Sequence, residues 1–143
     1  MLRWYFYTAN GPGDNKFFSI KDVESKKRRF ADTIVNSFIF LETYFAKPPK
    51  SLSPKKDILD EWILIRLESL RANITSGLEK YDVTSSARAI EEFVDDLSNW
   101  YIRRSRKKFQ KQIIDGEKLS AQETLAEVLR SVSILLAPFT PFL

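Results

Sequence analysis

The stretch that decides the fold is residues 95–109, which read DDLSNWYIRRSRKKF. Its first half carries apolar side chains at helical spacing, and Leu97 and Tyr101 share one face because they lie four positions apart. A cationic block follows, since six of the nine residues from Arg103 to Lys111 are Lys or Arg and none is acidic. A disordered basic tail would lack the apolar anchors. The pattern therefore predicts a packed helix whose exposed side is positively charged.

A rotation of about 100° per residue separates the two kinds of side chain around this helix. The side chains within one narrow apolar arc are Ile90, Val94, Leu97 and Tyr101. Those on the opposite side are Asn99, Arg103, Arg106 and Gln110. Trp100 is expected in the core because it stands beside Leu97 and Tyr101, and Arg104 reaches the edge of the apolar arc one turn later. For Arg104 the sequence leaves open a structural role, by stacking on that indole or pairing with an acid of another helix, and a role in binding RNA.

The composition favours helices and excludes most familiar active sites. The chain has 143 residues, of which 43% are hydrophobic, so one compact domain is expected. Four Gly and six Pro are too few for a turn-rich all-β protein. The sequence has no cysteine and no histidine, which excludes disulfides, thiol nucleophiles, imidazole bases and the usual zinc ligand sets within it. The carboxylate pairs at residues 91–92 and 95–96 are expected to be solvated or ion-paired, because adjacent helical residues diverge by about 100°.

Hydrophobic periodicity predicts four long helices in all. Their expected ranges are 19–46, 57–80, 85–109 and 119–137. Ser19 is the predicted cap of the first helix, and Ser120 and Glu123 have the spacing of a capping box for the last. The buried face predicted for the first helix consists of Phe30, Ile34, Phe38, Leu41 and Phe45.

These helices and their short connections predict an all-α fold, an antiparallel helical bundle of four long helices. A short apolar segment precedes them, and we divide the chain into a junction segment at residues 1–18 and a helical bundle at residues 19–143. Both ends carry apolar residues of interrupted patterns, so we expect the chain to be part of something larger. Phe139, Phe142 and Leu143 are expected to be exposed, and such surface predicts some self-association.

The charge pattern suggests partners of negative charge. The net charge is +4. A second basic cluster, residues 26–29, spans a full helical turn, so it is expected to be mostly solvated, with part of it available to support a nucleic-acid backbone. A protein-interaction bundle whose basic helix recognises an acidic partner is the main rival to nucleic-acid binding. A membrane-surface bundle is disfavoured because the apolar face is committed to the core. No apolar run reaches the roughly 18 residues needed to span a bilayer, and a cytoplasmic location is expected.

Several segments resemble one protein family in the order in which that family carries them. From Asp95 to Phe109 the chain closely resembles the anticodon-binding helical domain of class I aminoacyl-tRNA synthetases. LRWY at residues 2–5 resembles the segment after the catalytic domain's signature loop, DEWILIRL at residues 60–67 resembles the second bundle helix, and APFTPF at residues 137–142 resembles the closing motif. The closing motif is similar in synthetases for isoleucine, valine and leucine, whereas DLSNWY followed by RRSR is typical of the isoleucine branch.

The resemblance implies a binding domain without chemistry of its own. The parent enzyme would use ATP and Mg²⁺ to attach isoleucine to its tRNA, and many family members carry zinc in a C-terminal region. This sequence lacks the two nucleotide-binding motifs of the catalytic domain and the inserted editing domain, so no catalytic residue, metal or cofactor is expected within it. The implied partners are the anticodon arm of an isoleucine-accepting tRNA and the catalytic domain of the same parent chain, with no DNA and no membrane.

The candidate site lies in the cationic helix. Lys and Arg neutralise phosphates and release counterions, whereas unpaired bases are stacked and hydrogen-bonded at their edges. Asn99 suits a base edge, and Arg103 or Arg106 suits a phosphate or a stack. The predicted tRNA-binding side chains are Asn99, Arg103, Arg104, Arg106, Lys107 and Lys108.

Overall fold

The structure is a computed structural model that describes residues 1–11, 13–15 and 18–141. Within these residues, five helices form the fold. The short α1 is Leu2–Thr8, α3 is Ile58–Glu79 and α5 is Gly116–Leu136. Helix α2 spans residues 20–44 as Ile20–Lys26, a π-helical turn at Lys27–Ala31, and Asp32–Tyr44. Helix α4 spans residues 83–109 as Val83–Asp95, a π-helical turn at Asp96–Ile102, and Arg103–Phe109. The four long helices pack around one apolar core, which confirms the predicted all-α bundle.

The apolar segment at the N-terminus is built into this core. Trp4 of α1 is fully buried and stacks on Phe30 of α2, with ring centroids 4.1 Å apart. Phe139 meets the same indole edge-on at 5.9 Å and is 1% exposed, so the prediction that Phe139 lies at the surface is wrong. Phe142 and Leu143 lie outside the described residues. The division of the chain at residue 18 stays a prediction.

The buried face of α2 differs in part from the predicted one. Phe30 and Ile34 are buried as expected, but Phe38 is 40% and Phe45 is 60% exposed. Instead, Phe40 packs edge-on against Phe109 of α4, with centroids 5.0 Å apart. Helix α2 carries apolar residues on more than one side, so spacings of three and four were compatible with two different faces. Packing against α4 selects between them.

Helix starts show where local signals were sufficient. Asp57 caps α3 by accepting from the N–H groups of Leu59 and Asp60, at the predicted position. The predicted cap of the last helix is wrong, because α5 begins at Gly116 and is capped by Asp115. A β-carbon at Gly116 would lie 2.9 Å from the backbone oxygen of Ser53, so only glycine allows this close approach.

Ser120 has a different role, in a buried polar cluster around Asp60. The Asp60 carboxylate is fully buried and accepts hydrogen bonds from the Tyr101 hydroxyl at 2.8 Å and the Ser120 hydroxyl at 2.7 Å. It also accepts from the backbone N–H of Asp57 at 3.3 Å. Burial raises the pKa of Tyr101, and the adjacent carboxylate raises it further, so Tyr101 stays a donor. The cluster joins α3, α4 and α5 at one point.

Replacing Tyr101 by Phe should lower the free energy of unfolding by about 1.5–3 kcal/mol, because a buried carboxylate loses a hydrogen-bond donor. Urea denaturation followed by circular dichroism measures this loss. Tyr44→Phe is the matched control: it removes a hydroxyl that accepts from Gln110 at 3.3 Å in an exposed contact, and it should cost less than about 1 kcal/mol. Equal losses for the two variants would contradict the role assigned to Asp60.

Candidate nucleic-acid interface

The second half of α4 presents its charge outward because its other side is anchored in the core. Leu97, Tyr101, Ser105 and Phe109 are each no more than 1% exposed, at successive spacings of four. In a straight α-helix Phe109 would drift to about 100° from the arc of Ile90, Val94 and Leu97. The π-helical turn accommodates roughly one additional residue and returns Phe109 to the core. The wide turn therefore sets which residues of the cationic block face outward.

Two of the six cations in this block are already neutralised by acids. Lys108 pairs with Asp57, and its side chain is only 16% exposed. Lys111 lies 2.5 Å from Asp115 and 2.7 Å from Glu117. The cations that have no acidic partner among the described residues are Arg103, Arg104, Arg106 and Lys107. Lys108 thus differs from the other predicted cations, because its charge is balanced within the bundle.

Asn99 lies one turn before Arg103 on the exposed side of the helix. Its amide nitrogen donates to a carboxylate oxygen of Asp95 at 2.6 Å, also on the surface. This contact orients the amide and leaves its oxygen without a hydrogen-bond partner among the described residues, so that the oxygen can accept a hydrogen bond from a base edge. Its role in reading a base stays a prediction.

Trp100 and Arg104 form a cation–π pair at the surface. Trp100 is 49% exposed, so the prediction that it belongs to the core is wrong. Trp100 adjoins the buried Tyr101 in sequence but faces another way, since neighbours on a helix diverge by about 100°. The guanidinium carbon of Arg104 lies 4.4 Å from the centroid of the indole, which is the stacking contact considered from the sequence.

Arg106 lies on the other flank of the exposed face, next to α2. Its guanidinium carbon is 5.9 Å from the centroid of the Phe40 ring. Both residues line a cavity of about 180 Å³ between α2 and α4. Polar side chains of α2, among them Asn36, line the same cavity. The sequence carried no signal for this contribution of α2, because it depends on how two distant helices pack.

Some of the charged groups outside this block are paired within the bundle. In the second basic cluster, Lys26 pairs with Glu91 at 2.7 Å and Lys27 pairs with Asp32 at 2.6 Å, while the rest of the cluster is exposed. The predicted engagement of the carboxylate pairs is confirmed at Asp96, which lies 2.6 Å from Arg66 of α3. Among the residues that the structure describes, no cluster of acidic side chains is arranged to hold a metal ion.

An all-helical bundle that presents unneutralised arginines beside an exposed indole has the features of a helical nucleic-acid-binding domain. The chain matches the family model described as the anticodon-binding domain of tRNA ligase over residues 60–143, and it belongs to that family. Within the described part of the chain, no helix has the length and apolar character needed to cross a membrane.

Similar proteins of known activity are isoleucine–tRNA ligases. The chain is 45% identical to one from Dehalococcoides mccartyi, 42% identical to one from Deinococcus radiodurans and 41% identical to one from Bacillus thuringiensis. Each alignment covers 99% of this chain and 14% of the relative. The chain therefore spans about one seventh of the length of these relatives.

The pair between Lys108 and Asp57 predicts a pH-dependent stability. Burial alone would raise the pKa of Asp57. The Lys108 ammonium and the backbone N–H groups that donate to the Asp57 carboxylate hold that pKa below the usual range. The pair should therefore stabilise the bundle at neutral pH, and this contribution should be lost as the pH falls below about 4. In Asp57→Asn the cap is retained but the charge is removed.

We expect the free energy of unfolding of the original chain to fall more steeply between about pH 5 and pH 2 than that of Asp57→Asn. The difference at pH 7 should be about 1 kcal/mol or less, because the carboxylate is partly exposed. Urea titrations at a series of pH values measure both quantities. Glu61→Gln, a change at an exposed acid of the same helix, is the control and should leave the pH dependence unaltered. Parallel curves for the chain and Asp57→Asn would refute the pairing.

Proposed function

We propose that this chain is the part of an isoleucine–tRNA ligase that binds the anticodon arm of isoleucine-accepting tRNA. The observation that carries the proposal is the exposed face of α4, where four cations without an acidic partner among the described residues lie beside an exposed indole. Membership of the anticodon-binding family and the similarity to isoleucine–tRNA ligases support the choice of ligand.

The binding mechanism follows from the geometry of α4. Arg103 and Lys107 lie one turn apart on the outward face, a spacing that lets both neutralise neighbouring phosphates of one backbone. Arg106 flanks them beside the cavity shared with α2, where a polar lining suits the edge of an unpaired base. Asn99 precedes them with its amide oxygen available. Lys108 contributes less direct contact, because Asp57 already holds it.

For the longer protein we propose the activity named for its relatives, the attachment of isoleucine to tRNA. ATP and Mg²⁺ would serve that reaction outside this segment, with zinc in a C-terminal region, in the cytoplasm. This segment would supply binding energy and no catalytic group. The same binding domain serving a valine or leucine ligase is the alternative for the amino acid.

We also propose weak self-association. Phe139 is buried and cannot contribute to it, so the proposal is based on another apolar surface. An apolar strip on the outer side of α2 is formed by Val35, Phe38 and Ile39, which are 49%, 40% and 52% exposed. Contiguous exposed apolar side chains favour contact with another apolar surface. A second copy of this chain offers such a surface.

The tRNA proposal is tested with a hairpin that carries the anticodon arm of isoleucine-accepting tRNA, measured by fluorescence anisotropy across a salt series. Binding should weaken steeply with salt, and replacing the anticodon with that of another tRNA should weaken it further. Arg103→Gln combined with Lys107→Gln should lower the slope of log K against log salt by about 1.4–1.8, or about 0.7–0.9 per phosphate contact.

Arg130→Gln is the control, because Arg130 is exposed on α5 and has no acidic partner in the part of the chain that the structure describes. It removes one charge from another helix and should change the slope little. Equal binding to both anticodons would reduce the proposal to a backbone clamp. No binding at low salt would refute it and leave recognition of an acidic protein as the better reading.

Sedimentation velocity tests the self-association. The mean sedimentation coefficient should rise with concentration for the original chain, and Phe38→Gln should remove that rise. Ile65→Gln is the control, since Ile65 is 67% exposed on α3, away from the strip. A concentration-independent monomer would contradict the proposal.

A further inference from the structure

The exposed indole of Trp100 stands out among the aromatic side chains of α4. Phe93, Tyr101 and Phe109 on the same helix are each no more than 1% exposed, whereas Trp100 is 49% exposed. Burying that ring in the core would have been favourable, and its exposure leaves a flat apolar surface within the cationic face. Such a surface beside unneutralised arginines is the arrangement with which proteins stack unpaired bases.

The position of Trp100 is fixed by contacts on either side of it along the helix. Asp96, Trp100, Arg104 and Lys108 follow one another at spacings of four and therefore form one row. The first of them pairs with Arg66 of α3, and the last pairs with Asp57 at the start of α3. Both ends of the row are thus tied to α3, while the two residues between them stay at the surface. The two ion pairs therefore hold the stretch of α4 from which the indole projects against α3.

We propose that Trp100 is a stacking platform for an unpaired RNA base, and that the Arg104 guanidinium covers it until RNA binds. This inference rests on the RNA-binding function proposed above. On binding, the base takes the place of the guanidinium on the indole, and Arg104 turns to a phosphate of the same strand. Arg104 has no acidic partner among the described residues, so no ion pair needs to break.

The relative strengths of the two contacts favour this exchange. An exposed cation–π contact favours the stacked arrangement of the two side chains over the separated one by roughly two- to fivefold. Stacking of a base on an aromatic side chain favours binding by about five- to a hundredfold. The guanidinium then gains a charge-assisted contact with phosphate, for which its planar fork is suited. The guanidinium of Arg104 therefore covers the indole only weakly, and an unpaired base binds to the indole more strongly.

The test uses the whole chain with two RNA hairpins, the anticodon arm of isoleucine-accepting tRNA and the same arm with abasic sites in its loop. Tryptophan fluorescence and anisotropy are followed together. Of the two other tryptophans, Trp4 is fully buried and Trp62 is partly buried, so the quenching assigned to Trp100 is the part that Trp100→Phe removes. The natural loop should quench the fluorescence, and the abasic loop should bind more weakly with little quenching.

Two variants at the same position separate stacking from structural support. Trp100→Phe keeps an aromatic ring, so it should retain most of the affinity and lose the quenching. Trp100→Leu removes the ring and should weaken binding of the natural loop by about five- to a hundredfold, with little further effect on the abasic loop. Thermal unfolding of both variants checks that the bundle is intact.

The outcomes distinguish this inference from the function on which it rests. If the natural hairpin binds with a steep salt dependence but leaves the fluorescence unchanged, Trp100 is not the platform and the binding function stands. Equal affinity of Trp100→Leu and the original chain would overturn the inference in the same way. If neither hairpin binds at low salt, the binding function and the platform are both refuted. Should Trp100→Leu fail to fold, the comparison of the two hairpins with the original chain decides.

Discussion

The hydrogen bonds to the buried carboxylate of Asp60 determine how the bundle is assembled. A buried charge is tolerated only when donors satisfy it, so Tyr101 of α4 and Ser120 of α5 must both reach this one residue of α3. That requirement fixes the rotation of α4 about its own axis. Once Tyr101 points inward, Asn99, Arg103 and Lys107 must point outward, since they lie on the other side of the helix. The exposure of the cationic face therefore follows from a hydrogen bond inside the core.

The electrostatics of the surface depend on pairing more than on charge count. The sequence shows a net charge of +4 and a run of six cations, but it does not show which of them are balanced. Acids at Asp57, Asp115 and Glu117 neutralise two of the six, and all three come from outside the run. What remains is a compact group of positive side chains, three arginines among them, whose planar guanidinium groups suit both phosphates and stacking. The unneutralised charge of this run thus comes from four side chains on one stretch of α4.

Sequence reasoning succeeded where one helix carries a single strong pattern. The extent of α4, its buried arc and the start of α3 were predicted because periodicity and capping are local properties. It failed where the outcome depends on packing between helices. The buried face of α2 was ambiguous because α2 carries apolar residues on more than one side. Ser120 had the spacing of a helix cap, but its hydroxyl donates to the buried carboxylate of Asp60 instead. Trp100 was placed inside by its neighbours in sequence, and only the packed structure puts it at the surface beside the predicted site.

The wide turn of α4 at Asp96–Ile102 bears on how such a domain can change its length over evolution. A helix with a surplus residue in one turn can lose that residue without a break in the chain, because the turn closes to ordinary α-helical geometry. Everything beyond the deletion would then rotate by about 100° relative to the core. After that rotation, Phe109 could not stay buried while the cations before it stayed exposed in their present positions. A deletion that leaves the helix intact would therefore still be selected against. Single-residue insertions and deletions in this turn are therefore constrained by the core packing of Phe109 and by the placement of the exposed cations, rather than by the helical geometry itself.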